Sequence, residues 1–307
     1  MTMEYFRPNT KEDLVALLKI KNENTYFAAG CTDLMIQFHE KKIYNCNLID
    51  LTHMRESRDI YLTEDAVVIG AFVTAARLEE SPVIKSHVPA LAQAAGMLGS
   101  TQIRNLATIG GNLGNASQSA DLIPVLAACG AVIILLNSKG KLIEYTIDEL
   151  ITGSGLTSLK QDEVIWRIRI LKSSRLSAFY KVGARKSVTI SKINGCLSVE
   201  LLNGQIKNPV IYLGAVGRKA LRAPLVEAAI DGKRLEDYLD ISLGEVSEKQ
   251  TAYPAEQLKL AVEEQIEANI PDRPSKYYKK KAAFGLMLNM IEELKMQNGQ
   301  KITAGET

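Results

Sequence analysis

"TIGGNLGNASQSADL" occupies residues 108–122 and holds three glycines, two asparagines, two serines and an aspartate in fifteen positions, between two runs that read as protein core. Gly110, Gly111 and Gly114 let a backbone approach a ligand closely. Asn112, Asn115, Ser117, Ser119 and Asp121 supply directed donors and acceptors. A plain surface loop rarely needs both. The spacing is not the GxGxxG fingerprint of a dinucleotide fold, no acidic residue ends a strand about 20 residues on, and no GxxxxGK[ST] phosphate loop is present.

A second small-residue stretch, "FAAGCTDL" at 27–34, lies between a β-rich run (Thr25 to Ala28) and an apolar-periodic segment opened by Asp33. Backbone N–H groups that converge in such a turn, next to a helix N-terminus, suit a phosphate. The alternative is an ordinary strand-to-helix turn. Taken together, the two stretches imply phosphates held by two separate loops and a ligand large enough to bridge sub-domains.

Around these loops the chain is that of an ordinary globular protein, with 307 residues, 46% apolar and 23% charged, enough for two or three sub-domains. The formal net charge of +2, with both signs interspersed, excludes a broad nucleic-acid footprint. Lys279, Lys280 and Lys281 read as a solvated helix face. The four cysteines, at 31, 46, 129 and 196, have no CxxC spacing and read as reduced thiols. His39, His53 and His87 are isolated and carry no assigned chemistry. No apolar run approaches the ~20 residues of a membrane span, so a cytoplasmic protein is expected.

Thr10 and Asp13 announce a helix over 11–22 in capping-box style, and 46–52 reads as a strand, giving a small α/β unit over 1–55. Residues 56–172 read as an α+β unit: two strands joined by Thr63-Glu64-Asp65, a helix at 88–98, the polar loop, a buried helix from Leu122 to Ala128, a hairpin, and the strand "EVIWRIRIL". Residues 173–296 carry two strands turned by Asn203-Gly204 and helical patterns at 224–230, 233–239, 255–269 and 273–296. Residues 297–307 lose apolar character and are expected to form a mobile tail.

The strings "AAGCTDL", "QIRNLATIGGNLGNASQSADLIPVLAACGA" (102–131) and "FYKVGAR" (179–185) strongly resemble the FAD-binding medium subunit of the molybdenum hydroxylases, the xanthine dehydrogenase and carbon monoxide dehydrogenase family. The resemblance implies an α+β, vanillyl-alcohol-oxidase-type (PCMH-type) FAD-binding fold of two α/β sub-domains plus a C-terminal sheet-and-helix lobe. It implies that the amides of Ala28, Ala29, Gly30, Cys31 and Thr32 wrap the FAD pyrophosphate, with Asp33 and Leu34 closing the turn. It further places Thr108, Ile109, Gly110, Gly111 and Asn112 against the pyrophosphate and ribityl chain, with Asn115, Ser117 and Ser119 nearby and Asp121 accepting from ligand hydroxyls. Ile165 would cover an edge of the adenine or flavin, and Lys181 would approach the isoalloxazine.

The resemblance also implies partners: a [2Fe-2S] small subunit, a molybdopterin large subunit, and NAD or another electron acceptor. Two departures matter. Ala29 and Cys31 stand where the family usually has glycine. The cysteine-bearing insertion of the 4-hydroxybenzoyl-CoA reductase branch and the histidine-containing first loop of the carbon monoxide branch are both absent, which favours a xanthine, nicotinate or related heterocycle hydroxylase. A stand-alone flavin oxidase of the same fold and a non-catalytic FAD-binding assembly protein are the competing readings.

Overall fold

The computed structural model describes residues 4–185, 188–238 and 252–305. Thr10 caps α1 (Lys11–Ile20) in a reciprocal box with Asp13, and Leu14 and Leu18, one turn apart, form its buried stripe. Strands β1 (Tyr5–Phe6), β2 (Thr25–Ala28) and β3 (Asn47–Asp50) make a parallel sheet in the order β1-β3-β2. Parallel neighbours need a crossover. Between β2 and β3 it is α2 (Leu34–Lys41), so the first small-residue turn lies where a strand gives way to a helix.

The second unit is an antiparallel sheet in the order β4-β5-β10-β6-β7, formed by β4 (Ile60–Leu62), β5 (Ala66–Gly70), β6 (Val132–Asn137), β7 (Leu142–Thr146) and β10 (Glu163–Leu171), with a side hairpin of β8 (Ile151–Gly153) and β9 (Leu156–Thr157). Val67, Ile69, Ile133, Leu135, Ile168 and Ile170 are buried in its core with Trp166; each such side chain contributes roughly 1.5–3 kcal/mol by leaving water. Between β5 and β6 run six short helices: α3 (Ala75–Glu80), α4 (Pro82–His87), α5 (Pro89–Gly96), α6 (Thr101–Leu106), α7 (Ile109–Asn115) and α8 (Leu122–Ala128).

After a one-turn helix α9 (Ile147–Leu150), the third unit is the antiparallel sheet β11-β12-β13-β14. Its strands are β11 (Leu176–Gly183), β12 (Ser191–Leu202), β13 (Gln205–Gly214) and β14 (Leu221–Arg222). Asn203 and Gly204 both have positive φ, 52° and 76°, as a two-residue hairpin turn requires. The period-two alternation of β12 sends Ile193, Leu197 and Val199 into a core shared with α10 (Pro224–Ile230), α11 (Ala252–Asn269) and α12 (Lys276–Gly305). The opposite face, with Phe179, Cys196 and Tyr212, belongs to the core of the second unit. The lobe is therefore welded to that unit by apolar contact.

Several expectations change. The stretch 108–122 is not one loop, because Thr108 caps α7 and helical geometry runs to Asn115 despite three glycines. The pattern at 233–239 is a single 3-10 turn, Leu235–Tyr238, with residue 239 outside the described segments. The segment expected to be a tail from 297 continues α12 to Gly305. Lys279 is buried, not solvated: its ammonium donates to the Ala215 carbonyl, and burial, followed by the charges of Arg273 and Lys192, depresses its pKa. The helices at 75–87 and 101–106 were not legible, being too short to show a period.

Candidate cofactor site

The first loop leaves β2 at Ala28 and turns sharply. Gly30 is required there, since a methyl group on it would lie 1.9 Å from the carbonyl oxygen of Leu106. Cys31 then adopts φ 55°, the left-handed region that glycine enters freely and a cysteine does not. Burial, and secondarily the Asp50 charge, push the Cys31 thiol up, so it stays protonated at neutral pH. Ala29, Thr32, Asp33 and Leu34 are half-buried along the same edge. Asp33 stands at the N-cap of α2 without capping it; its carboxylate accepts instead from the Gln37 carboxamide.

The second stretch presents two kinds of glycine. Gly110 faces inward: its amide donates to the Ala71 carbonyl at 2.8 Å, and a methyl group would meet that oxygen at 2.7 Å. Gly111 and Gly114 face outward. A methyl on Gly111 would meet only Thr108 Oγ1, at 2.9 Å, and one on Gly114 only Ile165 Cδ1, at 4.0 Å. Thr108 Oγ1 accepts from the Gly111 amide at 3.0 Å, fixing the first turn of α7. Beside the outward glycines, Asn112 Oδ1 is buried with no hydrogen-bond partner among the described residues. A buried amide oxygen left unmatched costs on the order of 1–3 kcal/mol, which a donor from a ligand would remove.

The remaining site residues divide sharply. Ile109, the first residue of α7, and Ile165 are buried core side chains. Asn115 accepts from Gln37 at 3.0 Å, and Ser117 Oγ accepts from the Ser119 amide at 3.3 Å, tightening the turn that leads into α8. Asp121 and Lys181 were expected to address the ligand separately, but they address each other. Lys181 Nζ donates to Asp121 Oδ2 at 2.7 Å, to the Met97 carbonyl at 2.6 Å and to the Thr189 carbonyl at 3.3 Å. Asp121 Oδ1 accepts from Ser191 Oγ at 2.6 Å and Asn194 Nδ2 at 2.8 Å. With three donors on it, Lys181, Ser191 and Asn194, the carboxylate is satisfied by the protein itself.

Sequence reasoning missed Gln37, Ser191 and Asn194. Gln37 sits one turn after Asp33 on α2, the i,i+4 spacing at which side chains meet. Ser191 and Asn194 are polar positions at the buried start of a strand, where their side chains need partners.

The residues present fit a ligand rich in phosphate and hydroxyl oxygens: a small-residue turn after β2, the outward glycines of α7 and an orphaned buried amide oxygen that can accept from a hydroxyl. Such a site on two α/β units with a sheet-and-helix lobe defines the chain as a FAD-binding oxidoreductase subunit. Residues 1–171 match the FAD-binding domain of molybdopterin dehydrogenases, and residues 178–249 match the C-terminal domain of the CO dehydrogenase flavoprotein. The chain belongs to this molybdenum hydroxylase flavoprotein family, and its cofactor is FAD.

The chain is 32% identical over 239 residues to the nicotinate dehydrogenase FAD-subunit of Eubacterium barkeri, covering 76% of this chain and 80% of that one. It is 30% identical over 228 residues to the xanthine dehydrogenase FAD-binding subunit of Escherichia coli O157:H7, covering 73% and 77%. A chain of the carbon monoxide dehydrogenase of Hydrogenophaga pseudoflava shares the fold, with a TM-score of 0.80 at 24% identity over 95% of this chain and 96% of that one.

Proposed function

We propose that this chain is the electron-relaying flavoprotein of a multi-subunit heterocycle hydroxylase. Electrons arrive from [2Fe-2S] clusters on a small subunit, after substrate is oxidised on a molybdopterin large subunit, and leave to NAD or another acceptor. Bound FAD supplies the two-electron carrier. The chain supplies the rest. Main-chain amides of Ala28, Ala29, Gly30, Cys31 and Thr32 hold the pyrophosphate, and Gly111 and Asn112 approach it from the second stretch. Asn112 Oδ1 accepts from a ligand hydroxyl, Asn115, Ser117 and Ser119 line the path, and the Lys181–Asp121 pair fixes the wall of the second and third units.

The observation that carries this reading is Asn112 Oδ1, buried and without a partner among the described residues, beside the exposed backbone of Gly111 and Gly114. The names of the relatives, subunits of nicotinate and xanthine dehydrogenases, support the heterocycle class. Stopped-flow mixing of the FAD-loaded complex with NADH is the test. Rapid bleaching of the flavin absorbance is expected, and a flavin that stays oxidised with NADH and also when the hydroxylase substrate is added would overturn the relay.

A further inference from the structure

Residues 4–50 are tied to the chain beyond residue 60 by two hydrogen bonds among the described residues. One, from Gln161 Nε2 to the Lys21 carbonyl at 3.0 Å, joins residues outside both loops. The other lies at the cofactor site itself. Gln37 Nε2 donates both to the Asp33 carboxylate, at the end of the first loop, and to Asn115 Oδ1 at 3.0 Å, at the end of α7.

Both amide hydrogens of Gln37 are thereby committed, one to each stretch. A second contact joins the stretches at their other ends, where Gly30 packs on the carbonyl oxygen of Leu106 with no room for a side-chain carbon. Between the two contacts lie Cys31 and Thr32 on one side, and Gly111, Asn112 and Gly114 on the other. Gly30–Leu106 is a stop that keeps the stretches from coming closer; Gln37–Asn115 is a tie that keeps them from parting.

Resting on the FAD assignment above, we propose that Gln37 is a positioning residue: its carboxamide sets the separation of the two small-residue stretches and so the affinity for FAD. The side chain touches the loops and not the reacting atoms. Gln is suited to this place because one planar amide offers two hydrogens to two acceptor oxygens. A glutamate would face the Asp33 carboxylate with like charge, and a methionine would fill the space with no donor at all.

The experiment measures FAD binding to the flavin-stripped full chain by quenching of flavin fluorescence, for wild type, Gln37→Met and Gln37→Glu, at pH 7.5 and pH 5. Wild-type binding that is absent at both values would refute the FAD assignment and leave the positioning claim without a site. With wild type binding, Gln37→Met is expected to weaken FAD by about tenfold at both pH values, because the bonds to the Asp33 carboxylate and to Asn115 that hold the two stretches at their spacing are lost, while the stripped protein still melts cooperatively as a folded chain. Gln37→Glu, whose carboxylate has no hydrogen to donate to either acceptor, is expected to weaken FAD at pH 7.5 as well. Affinity within twofold of wild type in Gln37→Met, or, should that variant not fold, in Gln37→Glu at pH 7.5, overturns the proposal.

Discussion

Lys181 and Asp121, sixty residues apart in sequence, form an ion pair at 2.7 Å whose side chains are 7% and 9% exposed. Each belongs to a different unit: Asp121 precedes α8 of the second, and Lys181 lies on β11 of the third. The pair is a fixed part of the wall between them. Two charges taken so far out of water are tolerable only when each compensates the other and the spare lone pairs are matched, as Ser191 and Asn194 match Asp121 here.

Asp121→Asn should therefore destabilise the protein by about 3–5 kcal/mol, because it strands a buried ammonium rather than merely deleting one contact. The double variant Asp121→Asn with Lys181→Met should recover most of that loss, since no uncompensated charge remains. Chemical denaturation of the three proteins measures it. A double variant as unstable as the single would show that the carboxylate matters through Ser191 and Asn194 instead.

The two kinds of glycine in α7 make opposite predictions. Gly110→Ala drives a methyl group into the Ala71 backbone and should destabilise the stripped protein. Gly114→Ala meets only a distant Ile165 methyl and should stabilise the stripped protein by up to about 1 kcal/mol, from helix propensity alone. It should nonetheless weaken FAD, because the added carbon stands on the outward face. Melting temperatures with and without FAD separate the two effects. A Gly114→Ala protein that gains stability and keeps full affinity would move the cofactor away from this face.

That contrast shows what the sequence could and could not convey. The glycines and amides of 108–122 read as a ligand site but do not reveal that Gly110 packs on the fold while Gly114 is left open, since the difference lies in which neighbour, the Ala71 backbone or only a distant Ile165 methyl, occupies the Cβ direction. Capping by Thr10, the β4–β5 turn and the Asn203-Gly204 hairpin were readable because their determinants are local. The Lys181–Asp121 pair and the Gln37 tie were not, because each joins residues 60 or more apart and rests on tertiary packing. Lys279 was misjudged for the same reason: a lysine run looks solvated until one member is folded against Ala215.

Asp50, at the end of β3, predicts the acid limb of the stability curve. Burial alone would raise its pKa, but hydrogen bonds from Thr52, Tyr5 and Arg7 outweigh burial and hold it below the usual carboxylate range. Its folded pKa thus lies under its unfolded one, so its contribution is complete above about pH 5 and is lost as the pH falls through the folded pKa. Asp50→Asn should be less stable than wild type at pH 7 and should converge with it toward pH 3. A stability gap that is constant across this range would show that the ionised form of Asp50 is not what the first unit relies on.

Cys31 offers the last prediction, because it occupies a left-handed backbone position at φ 55° where the family resemblance favours glycine. Holding an L-residue there costs roughly 1–2 kcal/mol, whereas a glycine would lose up to about 1 kcal/mol through the added freedom of the unfolded chain. The balance favours Cys31→Gly by up to about 1 kcal/mol, and the shape of the loop should be unchanged. Cys31→Val carries a β-branched side chain into the same backbone and should cost about 1–3 kcal/mol. If the backbone conformation is what the first loop needs, Gly should keep or improve FAD affinity while Val loses it, as judged by flavin fluorescence titration and thermal melting of both variants. Loss of FAD in Cys31→Gly with an unchanged melting temperature would instead assign a direct role in the cofactor site to the thiol.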